Sequence, residues 1–151
     1  MRLFSTAFAQ GANIPSKYTC DGDELSPPLR IEEVPEGTKS LVLLMEDPDV
    51  PPFVREDRLW IHWIVFNIPP HIREIAENVQ PPGVLGAGTG RLGYQGPCPP
   101  DREHRYFFKL FALDEQLSLK EGATKEALEK AMSGHILAQA EYMGRYERVK
   151  R

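Results

Sequence analysis

No apolar stretch in this 151-residue chain approaches the ~18 residues that cross a bilayer as a helix. Basic residues are not gathered anywhere either. The 18 Lys and Arg stand scattered against 22 Asp and Glu, for a net charge of −4, which argues against nucleic acid as the main partner. Cysteine is nearly absent. Cys20 and Cys98 are too few for a structural zinc site and allow one disulfide at most. The N-terminus MRLFSTAFAQ resembles an export signal only superficially, because its apolar part is short and holds Ser5 and Thr6. It reads better as a first strand. Without an export signal the expected location is cytoplasmic, with both cysteines as thiols. There is no internal repeat and no linker, and residues 81–100, though rich in glycine and proline, are too embedded to be a hinge. One domain over residues 1–151 follows, large enough to bury roughly 68–70% of its unfolded surface.

What is abundant is punctuation. Fourteen prolines and twelve glycines leave only short periodic pieces. Leu41 to Met45 is a continuous apolar run stopped by Asp47-Pro48, as expected of a strand buried on both faces. Trp60 to Ile68 is aromatic and β-branched and is stopped by Pro69-Pro70; Tyr106 to Leu113 is a third strong strand. Strands separated by proline-rich turns predict an all-β, antiparallel sandwich with a few short helices. Thr124 is placed to cap a helix through Met132, with Gly134 just past its end. His71 to Asn78 reads as a helical turn or two with Ile72 and Ile75 inward. The tail from His135 to Tyr146 fits strand or helix.

Side chains two apart share a strand face, which groups His62 with Ile64 and Phe66, and His104 with Tyr106 and Phe108. Both histidines open their strands, so both imidazoles belong at the rim of a core. Each alone is more simply a structural histidine; two together, beside Tyr106, begin to look like a site. Asp47, in Asp47-Pro48-Asp49-Val50-Pro51, ends a buried strand and is positioned either to cap a turn or to accept a hydrogen bond from a histidine. Val50–Pro51 and its neighbours are candidates for cis geometry. Gly88 to Gly93 has GxGxxG spacing, but glycines and prolines flank it where a dinucleotide site needs a strand and a helix. A loop is the better reading, with backbone N–H groups near Gly96 able to cradle an anion. His71 and His135 read as surface residues. The constellation of Asp47, His62, His104 and Tyr106, edged by Gly96 and Pro97, has no serine in a nucleophile elbow. Binding fits it better than turnover, and no cofactor is implied.

These residues fall in three blocks, IPSKYTCDGDELSPPL, EDPDVP followed by WIHWIVFNIP, and GYQGPCPPDREHRYFFKLFALD, with GHILAQAEYMGRYER closing the chain. In them the chain resembles the phosphatidylethanolamine-binding, or Raf kinase inhibitor-like, proteins, in their short bacterial and archaeal branch. The resemblance implies a two-sheet sandwich with a small pocket for phosphate and other anions. It assigns Asp47 and His62 to that pocket, Gly96 and Pro97 to its wall, and His104 and Tyr106 to its HRY block. It implies proline-stiffened walls that lose little entropy on binding. The chain stops soon after Tyr146, so the helix that covers the pocket in longer relatives is expected to be missing, and their kinase regulation is not carried over. A homodimer is expected, with Phe107 and Phe111 either at its interface or filling a second layer. The leading function is a non-enzymatic binder of small phosphorylated or other anionic ligands. Alternatives are a protease or kinase inhibitor acting through loop 81–103, and a metal-dependent enzyme using His62, His104 and a carboxylate.

Overall fold

The computed structural model describes residues 1–148. Among these residues eight strands form two antiparallel sheets. The smaller has the order β1-β2-β5, from Arg2–Phe4, Leu29–Glu32 and Glu74–Ile75. The larger has the order β6-β4-β3-β7-β8, from Val84–Leu85, Trp60–Ile68, Ser40–Asp47, His104–Leu113 and Ile136–Tyr146. The all-β sandwich is therefore what the chain forms.

Every residue of β3 is buried, because the large sheet is covered on both faces. On one side Leu41, Leu43 and Met45 meet Leu3, Leu29 and Ile31 of the small sheet. On the other, Val42 and Leu44 meet Leu128 and Met132 of the helix α1, Lys125–Met132. That helix starts where expected: the Thr124 hydroxyl accepts from the Ala127 N–H at 3.1 Å, a cap worth ~1 kcal/mol. Gly134, at φ 82°, follows its end in the left-handed region. Phe111 belongs to this second layer, and Phe107 is half-buried with the Arg105 guanidinium 5.4 Å over its ring.

The ambiguous tail is a strand. β8 pairs with β7 from end to end, which satisfies an edge that a helix would have left bare. The segment from His71 to Asn78 departs from expectation. Ile75 is buried as predicted, but in β5, where Glu74 and Ile75 pair with Arg30 and Leu29. Pairing the small sheet's last strand outweighed a weak helical pattern. No peptide bond among the described residues is cis, so Val50–Pro51 is trans.

Two bulges in β4 matter more. At the far end, Leu43 pairs with Val65 but Leu41 with Ile68. Asn67 takes up the extra residue at φ 54°, and its amide exchanges hydrogen bonds with both backbone groups of Leu117 (2.9 and 2.8 Å). At the near end, Met45 pairs with Trp63 but Glu46 with Ile61, leaving His62 as the extra residue. The alternation therefore resets. Ile61 and Ile64 share the helix-side face, while His62 turns to the opposite face and meets Tyr106 edge-on at 5.3 Å. The expected grouping of His62 with Ile64 and Phe66 assumed an unbroken strand, and the bulge overturns it.

Candidate functional site

β3 runs antiparallel to both β4 and β7, so its last residue meets their first residues at one end of the sheet. Asp47, Trp60 and His104 are those three residues. With His62 and Tyr106, two positions further in, they line a cavity of about 240 Å³. Val50 and Val54, from the segment after Asp47, form one side of its mouth. The opposite wall is Gln95, Gly96, Cys98, Pro99 and Pro100. Five of the six residues singled out in the sequence thus surround one cavity. The sixth, Pro97, is buried behind the wall, where its carbonyl accepts from the Cys20 N–H at 3.1 Å.

The wall is bolted to the segment 18–24. Cys20 and Cys98 form a disulfide across 78 residues, with Cα atoms 5.4 Å apart, so neither is the thiol expected from composition. The Tyr94 hydroxyl donates to the Tyr18 carbonyl at 2.7 Å, and the Gly96 N–H donates to Glu24 Oε2 at 2.9 Å. Gly96 must be glycine, since a Cβ there would sit 2.5 Å from the Tyr18 carbonyl oxygen. This contact also means that the Gly96 N–H, read from sequence as an anion cradle, already holds a carboxylate. Arg91 of the GxGxxG stretch completes the cluster at 2.6 Å from the same Glu24 oxygen; that stretch is a loop closed by an Ala87–Leu92 bridge.

Asp47 holds His104, not His62. Its Oδ2 lies 2.6 Å from His104 Nδ1, and Asp101 Oδ1 lies 2.6 Å from Nε2. Carboxylates stand on both ring nitrogens, leaving His104 no free nitrogen for a ligand. Asp47 Oδ1 accepts from the Asp49 N–H at 2.7 Å, so the aspartate caps a turn and holds a histidine at once. Burial raises the Asp47 ionisation above the usual carboxylate value, against the pull of the Asp49 N–H and His104. Asp49 lies below its usual value because Arg105 bonds both its oxygens, at 2.8 and 2.9 Å.

His62 has a different environment. Its Nδ1 lies 2.7 Å from the Gln95 carbonyl, and burial depresses its ionisation to about 4. It is neutral at pH 7. Burial likewise pushes the Tyr106 phenol far above its ordinary value, and its hydroxyl is buried without a hydrogen-bond partner among the described residues. The Trp60 indole N–H donates to Gln95 Oε1 at 2.9 Å, presenting its ring to the cavity. With His104 saturated and His62 Nδ1 occupied, the metal site imagined from His62, His104 and a carboxylate does not assemble. No group of three or more His, Cys, Asp or Glu able to hold a metal ion occurs among the described residues.

Asp101 and Gln95 went unnoticed in the sequence, although Asp101 lies three residues before His104 in the same proline-bound loop. Trp60 opens the same strand two residues before His62.

Residues 4–147 match the family model of the phosphatidylethanolamine-binding protein. A Chlamydia trachomatis protein described as a UPF0098 protein is 56% identical over 149 residues, covering 98% of this chain and 99% of its own. A UPF0098 protein of Methanothermobacter thermautotrophicus is 47% identical over 155 residues, covering 98% and 99%. The crystal structure of a Chlamydia trachomatis protein described as a homologue of the same family superposes with a TM-score of 0.96 at 56% identity, covering 98% and 97%. Escherichia coli YbcL, described as a member of the mammalian family, superposes at 0.86 with 28% identity, covering 98% of each chain. The chain belongs to the phosphatidylethanolamine-binding protein family.

Proposed function

We propose that this family member acts by binding, without catalysis, and that its pocket takes small phosphorylated or otherwise anionic ligands. The observation that carries this is the Tyr106 hydroxyl, buried in the cavity lining with no partner among the described residues. An unsatisfied buried donor costs ~1–3 kcal/mol, which a bound oxyanion recovers by accepting from it. Val50, Val54 and Trp60 offer apolar surface to whatever the anion is attached to. Phosphate alone has five heavy atoms, so even at ~1.5 kcal/mol per atom it binds no tighter than about micromolar, and millimolar is the working expectation. Calorimetric titration of the wild type and His62→Ala with inorganic phosphate tests the reading. The wild type should bind and the variant should bind about tenfold or more weakly. Equal affinity in both would reject the pocket.

A homodimer is proposed at the edge strand β8, where Ile136 and Leu137 are exposed; Phe111, packed beside α1, is no longer available to such an interface. Sedimentation showing only 17.1 kDa particles at high concentration would reject it. The cytoplasmic location expected from the N-terminal sequence carried reduced thiols with it. The Cys20–Cys98 bond weighs against it, since disulfides persist mainly in oxidising compartments. Among the described residues, no helix is long and apolar enough to cross a membrane.

A further inference from the structure

We propose that the pocket selects the proton-bearing monoanion of a phosphate or phosphonate, with His62 Nε2 accepting from the ligand's P–OH and Tyr106 donating to a phosphoryl oxygen. The inference rests on the binding function above and specifies which ionic form is bound.

His62 is anchored through Nδ1. Its partner, 2.7 Å away, is the Gln95 carbonyl, which only accepts, so Nδ1 carries the proton. In a neutral imidazole the other nitrogen is then an acceptor. His62 is 5% exposed, and burial works against a second proton. A dianion has only acceptor oxygens and would place one against the Nε2 lone pair. A P–OH removes that conflict.

The charges around His62 agree. In the cavity lining it shares the site with His104 and Tyr106 of β7 and Asp47 of β3, and the charge of Arg91 also bears on it; Asp101 stands behind His104 and Glu24 behind Arg91. His104 lies between Asp47 and Asp101, at 2.6 Å from each. Arg91 and the Gly96 N–H are both held by Glu24. Within this group every basic side chain already has a carboxylate: two bracket His104 and the third holds Arg91. A second negative charge on the ligand therefore finds no counter-charge there. One donor and one acceptor are what the floor supplies, and a singly protonated phosphoryl group supplies their complements.

This origin of pH dependence differs from the charging of a histidine. Affinity should fall with rising pH because the ligand loses its proton, around a second ionisation near 6 for a typical phosphate ester. The midpoint should therefore belong to the ligand. Calorimetry of the whole protein with methylphosphonate and difluoromethylphosphonate, between pH 5 and 8, separates the cases, because fluorine lowers the second ionisation. Each affinity should fall about tenfold per pH unit above that ligand's own second ionisation. Methanesulfonate, a monoanion with no proton, should bind at least tenfold more weakly than methylphosphonate at pH 5. A shared midpoint for the two phosphonates would overturn the proposal, as would equal binding of methanesulfonate. Binding by none of the three at any pH would overturn the anion-binding function on which it rests.

Discussion

The Asp47 carboxylate lies 2.6 Å from His104 Nδ1 and makes a buried pair at the end of three strands, with the side chains 4% and 1% exposed. Asp47 ends β3 and His104 begins β7, so the pair clamps the two strands where the pocket opens. Asp101 closes the far side of the ring. Asp47→Asn keeps the shape and the acceptor for the Asp49 N–H but removes the charge. Breaking a buried pair from one side costs about 3–5 kcal/mol, and Asp101 still faces the ring, so a loss near 3 kcal/mol is expected. Urea unfolding of the two proteins measures it. A change under 1 kcal/mol would mean that the pair does not hold the strand ends.

The Cys20–Cys98 bond should stabilise the fold and the wall together. A disulfide typically contributes about 2–4 kcal/mol, and loop closure over 78 residues puts this one at the upper end, so reduction should lower the melting temperature and weaken ligand binding in step. Thiol titration of denatured, unreduced protein should find no free cysteine. Two reactive thiols per chain under those conditions would contradict the bond.

Most of the fold could be read from local pattern, and the reasons are specific. β3 is apolar on both faces because both faces are covered, and α1 begins at a capping threonine and ends before a glycine. The site was legible as a set of residues but not as a set of partners. His62 changed face because a bulge is a matter of pairing between strands, and nothing within WIHWIVFNI marks which residue lies outside the register. Which histidine Asp47 holds was out of reach for the same reason, since strand pairing sets His104 and not His62 against it. The disulfide joins positions 78 residues apart, a proximity that exists only once the pocket wall has folded against segment 18–24.

His62 should make the protein acid-sensitive in a defined window. Burial lowers its folded-state ionisation from 6.5 to about 4, so between those values the unfolded chain binds a proton that the native state refuses. Stability should fall as pH drops from about 6.5 to about 4, by about 1.4 kcal/mol per unit and by ~3 kcal/mol in all. Below that range the contribution is flat. His62→Gln, which does not titrate, should lose this slope while retaining the acid dependence of the carboxylates. An unchanged difference between the two stability curves from pH 7 to 4 would refute the assignment.

Tyr106 sets stability against binding. Its ring is fully buried between His62 and His104, at centroid distances of 5.3 and 6.4 Å, and contributes to the core whether or not it carries a hydroxyl. The hydroxyl has no partner among the described residues. Tyr106→Phe removes a buried polar group that the unliganded fold does not satisfy, so the variant should be as stable as the wild type or more so, by up to ~1 kcal/mol. Phosphate affinity should fall at least tenfold, because the unpartnered donor of the cavity lining is gone. Thermal melts without ligand and calorimetry with phosphate give the two numbers independently. A variant that is both less stable by more than 1 kcal/mol and unaltered in phosphate binding would show that the hydroxyl serves the fold rather than the ligand.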